Sequence, residues 1–597
     1  YRGRAMASAP NLDDRTSLDT ALLRFGDNRD WHRFESPDDV RTVWDLDDVL
    51  TSLADAERLS AGGAWVVGLL SYDAGPAFDS AVVSQRDHSV PLLSFGVFDQ
   101  CSVGAEPLDG PFEISEWAAD QTESEHAGAI AAVRELIAAG ETYQVNYTLR
   151  LHASFWGSAE GLFSALARGQ QADHDAFLHL GSHALCSASP ELFFTRTGTT
   201  LNSRPMKGTR PRHFDPKLDA ALAEELRTSV KDRAENVMIV DMVRNDLGRV
   251  AEVGTVRVPH LLEVEHYPTV HTMTSTVVAE STADLVTTLR ALYPVASITG
   301  APKYRTTEVI ADLESAPRGA YTGSVFALSP NGRWEFNVVI RSVWLDLAEG
   351  VGTYGVGGGI VWDSVDSEEW AETEHKSRVL ARAGKPLRLL ETMAWTPDAG
   401  VSLRQRHINR LLRAGDHFGI HVDMDDVMAL LDGVRSDTPV RLRLLIDAFG
   451  DAELEVAALP GERAPPVLEI DPVPTDPYDE FLVYKTTNRG RYEDALARCP
   501  DADDVILWNT RGELTETTIA NLVLELDGLL ITPAVSSGLL PGTLREELLD
   551  RGQVVERVVP IADLWRADRI FTINSVRGWD EVQIRADAGK HPTVASA

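Results

Sequence analysis

A break near its middle constrains this chain more than any other feature. Residues 366–384 (DSEEWAETEHKSRVLARAG) have helical character and end in Gly384, with Pro386 just beyond. Glycine commonly caps a helix end and proline cannot continue a helix, so this combination indicates a boundary. At 597 residues the chain is also too long for one ordinary hydrophobic core. The sequence therefore predicts separate folded units on either side of the break, the second beginning near Leu387.

The bulk composition excludes several classes of protein. Hydrophobic residues make up 44% of the chain and charged residues 25%, as in soluble globular proteins. A net charge of -35 opposes binding to nucleic acid phosphates. No apolar run approaches the roughly 18 residues of a membrane helix, and the N-terminus lacks a signal pattern. We therefore expect no nucleic acid or membrane partner, and an anionic substrate must be held by local positive charge or by a metal.

Cysteine usage and the order of elements complete the coarse prediction. The three cysteines, Cys101, Cys186 and Cys499, lie far apart, which fits a reducing compartment and a cytoplasmic location. Strand-like runs such as 64–72 and 185–198 alternate with helical patterns. The expected fold class is a multidomain α+β or α/β protein. We expect one domain over 10–384, with an N-terminal part 10–120 and a second part 121–384, and another over 387–597.

Two pairs of carboxylates with helical spacing point to a metal. Asp232 and Glu235 lie in KDRAENVMIVDMVRND, and Glu369 and Glu372 lie in SEEWAETEHK. Residues three apart on a helix point the same way, so two such helices facing each other make an oxygen-rich Mg2+ site. Carboxylates on a helix also form ordinary solvated faces, so the metal interpretation needs support from elsewhere.

Glycine-rich stretches provide that support. YGVGGGIVWDS (354–364) places three glycines after a strand, where backbone N–H groups can approach an anion, although a glycine-rich hairpin explains it equally well. ITGAPK (298–303) leads into a helix whose free N–H groups face an anion in the same way. Arg341, in NVVIRSVWL, is either a carboxylate-binding fork or a solvent-facing strand residue. Lys207, in the basic turn RPMKGTRPR, is either a solvated loop lysine or a functional one.

The order of these stretches resembles the chorismate-utilising enzymes. Eight stretches carry the resemblance: GETYQVNYT, SPELF, RPMKGTRPR, AENVMIVDMVRNDLGRV, ITGAPK, RGAYTGS, NVVIR and GVGGGIVWDS. A lysine in P-x-K-G-T is similar to component I of the aminodeoxychorismate synthases, whereas anthranilate synthases carry a small residue there. The resemblance implies a two-subdomain α/β sandwich. It also implies that Lys207 attacks the chorismate ring as the C4 hydroxyl leaves, that ammonia then displaces the lysine, and that Glu191 lies near the reacting ring.

The same resemblance implies the remaining contacts of this site. Mg2+ on a chorismate carboxylate would be held by Asp232, Glu235, Glu369 and Glu372. The other substrate contacts would be Tyr321, Arg341, Gly357, Gly358, Gly359, Thr299, Gly300, His271 and Thr272. Two departures stand out: the family often has histidine where Thr272 lies, one residue after His271, and it commonly has glutamate where Asp232 lies.

A second set of motifs follows the break. Lys485 follows a strand-like run, Glu516 lies in a polar turn before an apolar strand, and GTLRE (542–546) opens a helix that can bind phosphate. Each has an ordinary alternative as a surface or turn residue. Together with RHINRL (406–411) they resemble the fold-type IV pyridoxal phosphate enzymes, most closely the aminodeoxychorismate lyases, with a two-subdomain α/β unit. The usual aspartate-arginine-glycine entry segment is missing before LLETMAW (389–395).

This resemblance implies one pyridoxal 5'-phosphate site. Lys485 would bind the cofactor covalently and carry protons, and Glu516 would pair with its pyridine nitrogen. The phosphate would be held by Arg410, Thr543, Leu544 and Ser575. The two halves would then make 4-amino-4-deoxychorismate and convert it to 4-aminobenzoate, a folate precursor, and pyruvate.

Other functions remain open at this point. The second half could be an aminotransferase for branched-chain or D-amino acids, and the first an anthranilate-synthase-like enzyme. A silent scaffold that binds chorismate or a partner has no physical reason to gather both lysines and four carboxylates. None of the three cysteines has the glycine-flanked context of a glutaminase nucleophile, so we expect a separate glutamine amidotransferase to supply ammonia. A homodimer through the second half is also expected by resemblance.

Overall fold

The computed structural model describes residues 17–212, 216–267, 270–383, 387–447, 450–461 and 464–585. Among them, one unit lies within Tyr1–Arg212 and Ala220–Gly384, and the other within Lys385–Ala597 and the short segment His213–Asp219. The predicted boundary at Gly384 and Pro386 lies outside the described residues. The domain ranges expected from the sequence stay predictions.

The elements before residue 384 are mostly strands. The strands are β1 (Leu18–Phe25), β2 (Asp30–Glu35), β3 (Asp39–Val43), β4 (Trp65–Leu70), β5 (Leu93–Phe98), β6 (Ser102–Val103), β7 (Phe112–Ile114), β8 (Ala118–Ala119), β9 (Gln144–Gly157), β10 (His174–Leu180), β11 (His183–Ser189), β12 (Leu192–Thr197), β13 (Thr200–Arg204), β14 (Met206–Pro211), β15 (Arg257–His266), β16 (Val270–Glu280), β17 (Gly300–Ala301), β18 (Ser324–Leu328), β19 (Trp334–Asn337), β20 (Ser342–Asp346) and β21 (Val351–Ile360). The helices are α1 (Leu46–Ala61), α2 (Gly75–Phe78), α3 (Glu123–Ala138), α4 (Ala159–Gln170), α5 (Pro216–Thr228), α6 (Val230–Gly248), α7 (Leu285–Leu292), α8 (Lys303–Leu313) and α9 (Asp366–Ala383).

These strands form two antiparallel sheets. The first has the order β17-β9-β21-β20-β11-β10-β1-β2-β6, with β7 and β8 on β9. The second has the order β14-β16-β13-β12-β19-β18-β4-β5-β3, with β15 on β16. Consecutive strands are often not neighbours, so each sheet joins segments from widely separated parts of the chain.

Residue alternation explains how the sheets pack. In β4, Val67 and Leu69 belong to a core shared with β1 of the other sheet, while Val66 and Leu70 face a core that α1, α6 and α7 cover. Successive side chains of a strand point to opposite faces, so an all-apolar strand such as WVVGLL must be covered on both sides. The other face of the first sheet packs against α4 and the end of α9. The unit is therefore a sandwich of two sheets with helices outside, as the sequence predicted.

The elements after residue 387 form two further sheets. The strands are β22 (Leu389–Thr396), β23 (Gly400–Val401), β24 (Val440–Ile446), β25 (Ala452–Ala458), β26 (Val467–Ile470), β27 (Asp504–Trp508), β28 (Leu514–Thr517), β29 (Asn521–Leu526), β30 (Leu529–Pro533), β31 (Val555–Arg557), β32 (Arg569–Asn574), β33 (Gly578–Glu581) and β34 (Gln583–Ile584). The helices are α10 (Arg404–Phe418), α11 (Met424–Asp432), α12 (Glu480–Val483), α13 (Gly490–Arg498) and α14 (Thr543–Asp550).

The two sheets of this unit differ in character. A four-stranded antiparallel sheet, β23-β22-β24-β25, packs its apolar face on α10 and α11. A nine-stranded sheet mixes parallel and antiparallel pairs. The predicted multidomain α+β class is confirmed by these mixed elements. Across the described ranges, every helix is too short or too polar to span a membrane.

The aromatic stack at Phe336 gives a test of the sandwich. Phe336 is fully buried, with its ring centroid 4.6 Å from that of Phe194 and 5.2 Å from that of Phe326. Phe336→Ala should lower the free energy of unfolding of this unit by about 3–5 kcal/mol, because it leaves a cavity in a close-packed core. Urea denaturation followed by fluorescence measures the change. Leu108→Ala, at a 62% exposed position, is the control; equal midpoints for the two variants would contradict this packing.

Two candidate active sites

The first candidate site forms around Lys207. This lysine lies on β14, and its Nζ is 3.1 Å from the place where a Cβ on Gly359 would be. A side chain at position 359 would therefore displace the amine. The glycine run of β21 serves here to leave room for a lysine.

Gln144 shares this space, although the sequence reasoning did not single it out. It is fully buried at the start of β9, and neither its amide nitrogen nor its amide oxygen has a hydrogen-bond partner in the protein. Its Nε2 lies 2.3 Å from the same Cβ position of Gly359. Buried amides are rarely left unpaired, so this group is available to a bound molecule. The only sequence signal was its place within GETYQVNYT.

Glu191 lies just after β11 and is 4% exposed. Its Oε1 accepts a hydrogen bond from the hydroxyl of Ser297 at 2.6 Å. Burial raises the pKa of Glu191 to about 7, while the Ser297 hydroxyl and the charge of Lys207 oppose the rise. A carboxyl with such a pKa can give or take a proton near neutral pH.

Carboxylates of two helices approach the glycine strand. A Cβ on Gly358 would lie 3.1 Å from Oε2 of Glu369 and 3.7 Å from Oε1 of Glu372, both on α9. On α6, Oε1 of Glu235 is buried without a hydrogen-bond partner, and burial raises the pKa of this residue. Glu235 also interacts electrostatically with Asp232 and Glu372. The two predicted carboxylate pairs thus face one region.

Cations of the chain already balance part of this acidic region. Asp232 accepts a hydrogen bond from Arg210 at 3.0 Å. Glu372 pairs with Lys376 at 2.5 Å, and the ammonium holds the pKa of Glu372 well below its usual range. Within the described residues, no three His, Cys, Asp or Glu side chains stand together as a ready set of metal ligands. The four-carboxylate Mg2+ site therefore stays a prediction.

Arg341 lies elsewhere than the sequence suggested. The interpretation as a residue within a strand is wrong: Arg341 lies between β19 and β20 with φ of +54°, a left-handed conformation that is uncommon for a residue other than glycine. Its Nη1 donates a hydrogen bond to the carbonyl oxygen of Lys376 at 3.0 Å. The same carbonyl oxygen accepts a hydrogen bond from the hydroxyl of Tyr354 at 2.9 Å. The same Lys376 donates from Nζ to the carbonyl of Gly357 at 2.8 Å. Lys376 therefore links Arg341 to the glycine strand.

Tyr321 lies beside this group. The ring packs so closely on Gly355 that a Cβ there would be 2.3 Å from its Cγ, and Arg150 stands 5.1 Å from the ring centroid. Burial raises the pKa of the Tyr321 hydroxyl, and the charges of Arg318 and Arg150 oppose the rise. The predicted substrate contacts Tyr321 and Arg341 lie close enough to interact electrostatically.

The other predicted contacts lie on neighbouring elements. Thr299 is buried with its hydroxyl bonded to the carbonyl of Val295 at 2.7 Å. Gly300 has φ of +134°, and a Cβ there would be 2.3 Å from the carbonyl oxygen of Gln144, so only glycine fits. His271 and Thr272 are buried on β16, where Thr272 pairs with Thr209 of the strand that carries Lys207. His271 is 2.7 Å from His266 between the Nδ1 atoms.

The second candidate site is a cavity of about 430 Å³ in the unit that follows residue 387. Lys485 and Glu516 line it. Burial, together with Arg410, lowers the pKa of the Lys485 amine to about 8. Burial raises the pKa of Glu516 to about 8, although the hydroxyl of Tyr492 donates to it at 2.8 Å. The cavity therefore holds an amine and a carboxyl whose protons are both mobile near neutral pH. The structure places Glu516 on β28, so its expected position in a turn is wrong.

Arg410 lines the cavity and is held in place by a buried ion pair. Its Nε and Nη2 donate to Glu391 at 2.8 and 2.7 Å, and His407 lies 2.6 Å from the same carboxylate. Burial alone would raise the pKa of Glu391, but these two partners lower it to about 2. Glu391 lies on the face of β22 that packs on α10. Because Arg410 and His407 lie on that helix, they keep Glu391 ionised inside a core. Sequence reasoning missed Glu391 and His407, because nothing local marks them.

The remaining predicted residues surround the same cavity. Thr543 and Leu544 line it from the first turn of α14, and Ser575 lines it with a hydroxyl 3.4 Å from the carbonyl of Thr392. Thr543 Oγ1 is 3.2 Å from Nε2 of His407. The structure thus brings together all six residues predicted for this site. Four arginines that were not predicted also line it: Arg441, Arg443, Arg489 and Arg577.

Comparisons with known proteins decide the family. A family model described as chorismate binding enzyme matches residues 102–382. Component 1 of aminodeoxychorismate synthase from Salmonella typhimurium is 37% identical over 349 residues, which cover 53% of this chain and 76% of that protein. The chain belongs to the chorismate binding enzymes. An anthranilate synthase component 1 from Streptomyces coelicolor is also similar, with 40% identity over 45% of this chain and 52% of that protein.

A second family model, that of the class IV amino-transferases, matches residues 388–584. The chain is therefore an enzyme with a chorismate binding domain followed by a class IV amino-transferase domain, and the latter family implies pyridoxal phosphate. The solved structure of a menaquinone-specific isochorismate synthase from Escherichia coli has a TM-score of 0.50 and 19% identity, covering 64% of this chain and 92% of that one. At this identity the likeness shows the fold of the first domain.

The lowered pKa of Lys485 gives a test of the second site. Acylation of the cofactor-free protein at this lysine should reach half its maximal rate near pH 8, because only the neutral amine reacts and its fraction rises with pH through about 8. Mass spectrometry of the peptide that carries Lys485 measures the labelling, and Lys485→Arg is the control that removes the amine. A midpoint above pH 10 would show that the amine is not buried.

Proposed function

We propose that this enzyme makes 4-aminobenzoate in two steps. The first domain aminates chorismate at C4 to give 4-amino-4-deoxychorismate, and the second eliminates pyruvate from that product. The observation that carries the proposal is the place of Lys207, whose amine occupies the space left open by Gly359 and shared with Gln144. A lysine of this kind supplies a nucleophile that an anthranilate synthase, with a small residue there, would lack.

Lys207 acts as the nucleophile of the first step. Its amine bonds to the chorismate ring while the bond between C4 and its hydroxyl breaks, and the hydroxyl leaves as water with a proton from Glu191. Ammonia then bonds to C4 and releases the amine of Lys207, which regains its original state. Covalent catalysis divides a difficult displacement into two easier ones. Gln144, with an unpaired amide beside Lys207, is positioned to hold the incoming ammonia or the ring.

The residues around Gly358 fit a divalent cation. Glu235 has a buried oxygen without a partner, and Glu369 and Glu372 approach the strand from α9. Carboxylate oxygens are the ligands that Mg2+ prefers. These three residues and Asp232 would hold the ion, which supplies positive charge for a substrate carboxylate. Lys376 and Arg210, which balance Glu372 and Asp232, would give up those contacts.

Arg341 and Tyr321 would bind the second carboxylate of chorismate. Arg341 is linked to the glycine strand through Lys376, and the ring of Tyr321 packs on Gly355 of the same strand. The left-handed backbone of Arg341 is a local cost that a substrate contact explains. Gly300, whose Cβ position would lie 2.3 Å from the carbonyl oxygen of Gln144, and the neighbouring Thr299 are further proposed contacts. His271 and Thr272, one strand beyond Lys207, remain proposed substrate contacts.

The second cavity fits pyridoxal phosphate. Lys485 would hold its aldehyde carbon, Glu516 its ring nitrogen, and Arg410 its phosphate with the N–H groups of Thr543 and Leu544 and the hydroxyl of Ser575. The bound cofactor supplies an electron sink for negative charge next to an amine. Lys485, with a pKa near 8, takes the proton from C4 of the substrate. Glu391 fixes Arg410 through a bidentate contact.

The arginines around this cavity favour a lyase substrate. Arg441 and Arg443 lie on the face of β24 opposite the core residues Leu442 and Leu444, and Arg489 and Arg577 line the same cavity. Aminodeoxychorismate carries two carboxylates, and guanidinium groups bind carboxylates well. An aminotransferase for branched-chain amino acids would need an apolar pocket instead.

Ammonia must come from another protein or from solution. Cys186 and Cys499 are buried, and burial raises the pKa of Cys101 and Cys499, whereas a glutaminase needs an exposed, activated thiolate. We therefore infer a separate glutamine amidotransferase partner. A homodimer through the class IV amino-transferase domain and a cytoplasmic role in folate synthesis belong to the same proposal.

A product assay tests the two steps. With chorismate, ammonium, Mg2+ and pyridoxal phosphate, the wild type should give 4-aminobenzoate and pyruvate, while glutamine alone should give neither. Lys485→Ala should accumulate aminodeoxychorismate, and Lys207→Ala should lose at least about a hundredfold in its formation, since each removes one reacting amine. Chromatography with mass detection identifies the products. If the wild type stops at aminodeoxychorismate, the second domain is an aminotransferase; if it forms anthranilate, the first step is misassigned.

The pKa of Glu191 gives a test of its role as an acid. The value of kcat/KM for chorismate should fall as pH rises through about 7, because Glu191 then loses the proton that it must donate. Ser297→Ala removes a hydrogen bond that favours the ionised form, so it should move this fall to higher pH. Rates are compared at one concentration of free ammonia. A pH profile that Ser297→Ala leaves unmoved would rule out Glu191 as the acid.

A further inference from the structure

Three charged side chains form a buried cluster beside Tyr321 in the chorismate binding domain. They are Arg150 on β9, Glu314 just after α8, and Arg318, and each residue is at most 5% exposed. Arg318 donates two hydrogen bonds to the carboxylate of Glu314, at 3.1 and 2.7 Å, and Arg150 donates a third at 3.3 Å. Thr148 donates two more, from its hydroxyl at 2.7 Å and its backbone N–H at 3.0 Å. The carboxylate is therefore fully bonded within the protein.

The cluster carries an excess of positive charge. Within the described part of the chain, Glu314 is the single carboxylate that forms an ion pair with either guanidinium. Asp73, another buried carboxylate of this domain, pairs with Arg86 instead. Burial lowers the pKa of Arg318, but attraction to Glu314 raises it above its usual value, so this guanidinium stays charged. Because an uncompensated charge inside a protein is costly, the excess indicates a place where an anion binds.

Strand geometry places Arg150 on the face of the sheet that carries the first candidate site. Arg150 and Gln144 lie six residues apart on β9, so their side chains point to the same face. Gln144 is the residue that shares the space at Gly359 with Lys207. Arg150 also pairs with Gly355 of β21, on which the ring of Tyr321 packs. This register sets the guanidinium 5.1 Å from the centroid of that ring.

We propose that Arg150 is a positioning residue that strengthens the hydrogen bond from the hydroxyl of Tyr321 to the second carboxylate of chorismate. The inference rests on the proposed function, in which Tyr321 and Arg341 bind that carboxylate. A cation near an aromatic ring favours negative charge on the ring and its oxygen, so the hydroxyl becomes a better donor. Glu314 holds the guanidinium in place, and the substrate carboxylate supplies the negative charge that the cluster lacks.

The contribution of Arg150 is to binding rather than to the reaction at C4. The second carboxylate lies on the side chain of chorismate, so its contacts are the same in the substrate and in the transition state. Losing such a contact raises KM and leaves kcat unchanged. Burial raises the pKa of the Tyr321 hydroxyl, and Arg318, Arg150 and Arg341 oppose the rise. Removing the charge of Arg150 therefore makes this hydroxyl a weaker donor.

A double-mutant cycle tests the inference. Arg150→Gln removes the charge, and Tyr321→Phe removes only the hydroxyl. We expect each change to raise the dissociation constant of chorismate at least about fivefold, with kcat at saturating chorismate within about twofold of wild type. In the Tyr321→Phe background, Arg150→Gln should change the dissociation constant less than about twofold. Calorimetry with Mg2+ and without ammonium measures binding. Equal effects of Arg150→Gln in the two backgrounds would overturn the inference.

Two ligands identify the carboxylate concerned. 3-(Carboxymethoxy)benzoate carries a side-chain carboxylate as well as the ring carboxylate, whereas 3-methoxybenzoate carries the ring carboxylate alone. Arg150→Gln should weaken binding of the first at least about fivefold and binding of the second less than about twofold. An equal loss for both ligands would mean that Arg150 acts on the site as a whole, which contradicts the inference.

Three further variants separate charge from packing. Arg33→Gln is the matched control, because Arg33 is 9% exposed and pairs with Glu160 on β2, towards the other end of the same sheet; it should leave both affinities unchanged. Arg150→Lys keeps the positive charge and should bind chorismate within about threefold of wild type. A loss as large as that of Arg150→Gln would show that packing, and not charge, is responsible. Arg150→Met, which fills the same space without a charge, replaces Arg150→Gln in the cycle if that variant does not fold.

The same cycle distinguishes a failure of this inference from a failure of the proposed function. If Tyr321→Phe leaves the dissociation constant of chorismate unchanged, the proposed substrate contact is wrong and the inference falls with it. If Tyr321→Phe weakens binding but Arg150→Gln does not, the contact stands and the role of Arg150 alone is overturned.

Discussion

Space at Gly359 is the constraint on which the first candidate site depends. A side chain there would collide with Gln144 and displace the amine of Lys207. The next glycine along β21 lets Glu369 and Glu372 approach from the opposite face. Because neighbouring residues of a strand point to opposite faces, two adjacent glycines open the sheet to a lysine on one side and to carboxylates on the other. The proposed nucleophile on β14 and two of the proposed metal ligands on α9 therefore both approach the glycines of β21.

The second candidate site depends on a buried charge instead. Glu391 lies on the core side of β22, and Arg410 and His407 keep it ionised. Breaking a buried pair leaves an uncompensated charge, so each partner depends on the others. The contact fixes a guanidinium at the edge of the cavity where a phosphate would bind. The same guanidinium, together with burial, lowers the pKa of the Lys485 amine.

Sequence patterns revealed the local features of both sites. Lys207, Lys485 and the carboxylate pairs stand in short motifs whose order carried the family resemblance, and the family comparisons agree with it. Patterns did not reveal contacts between distant segments. Gln144 can be recognised as a site residue only from its contact with Gly359, and Glu391 only from its ion pair with Arg410. Arg341 was expected in a strand, but it has a left-handed backbone, and its guanidinium donates to the carbonyl of Lys376 on a distant helix.

The sequence by itself determined that the chain joins two enzyme families, and it predicted one reactive lysine in each, Lys207 and Lys485. Hydrophobic alternation, helix-stop signals and motif order are properties of neighbouring residues, and they persist without any fold. Only the tertiary structure decided which groups are buried, which charges are paired and where cavities remain. The pKa values of Glu191 and Lys485, and the cavity around Lys485, follow from desolvation and packing. Both arise when segments far apart in the chain come together.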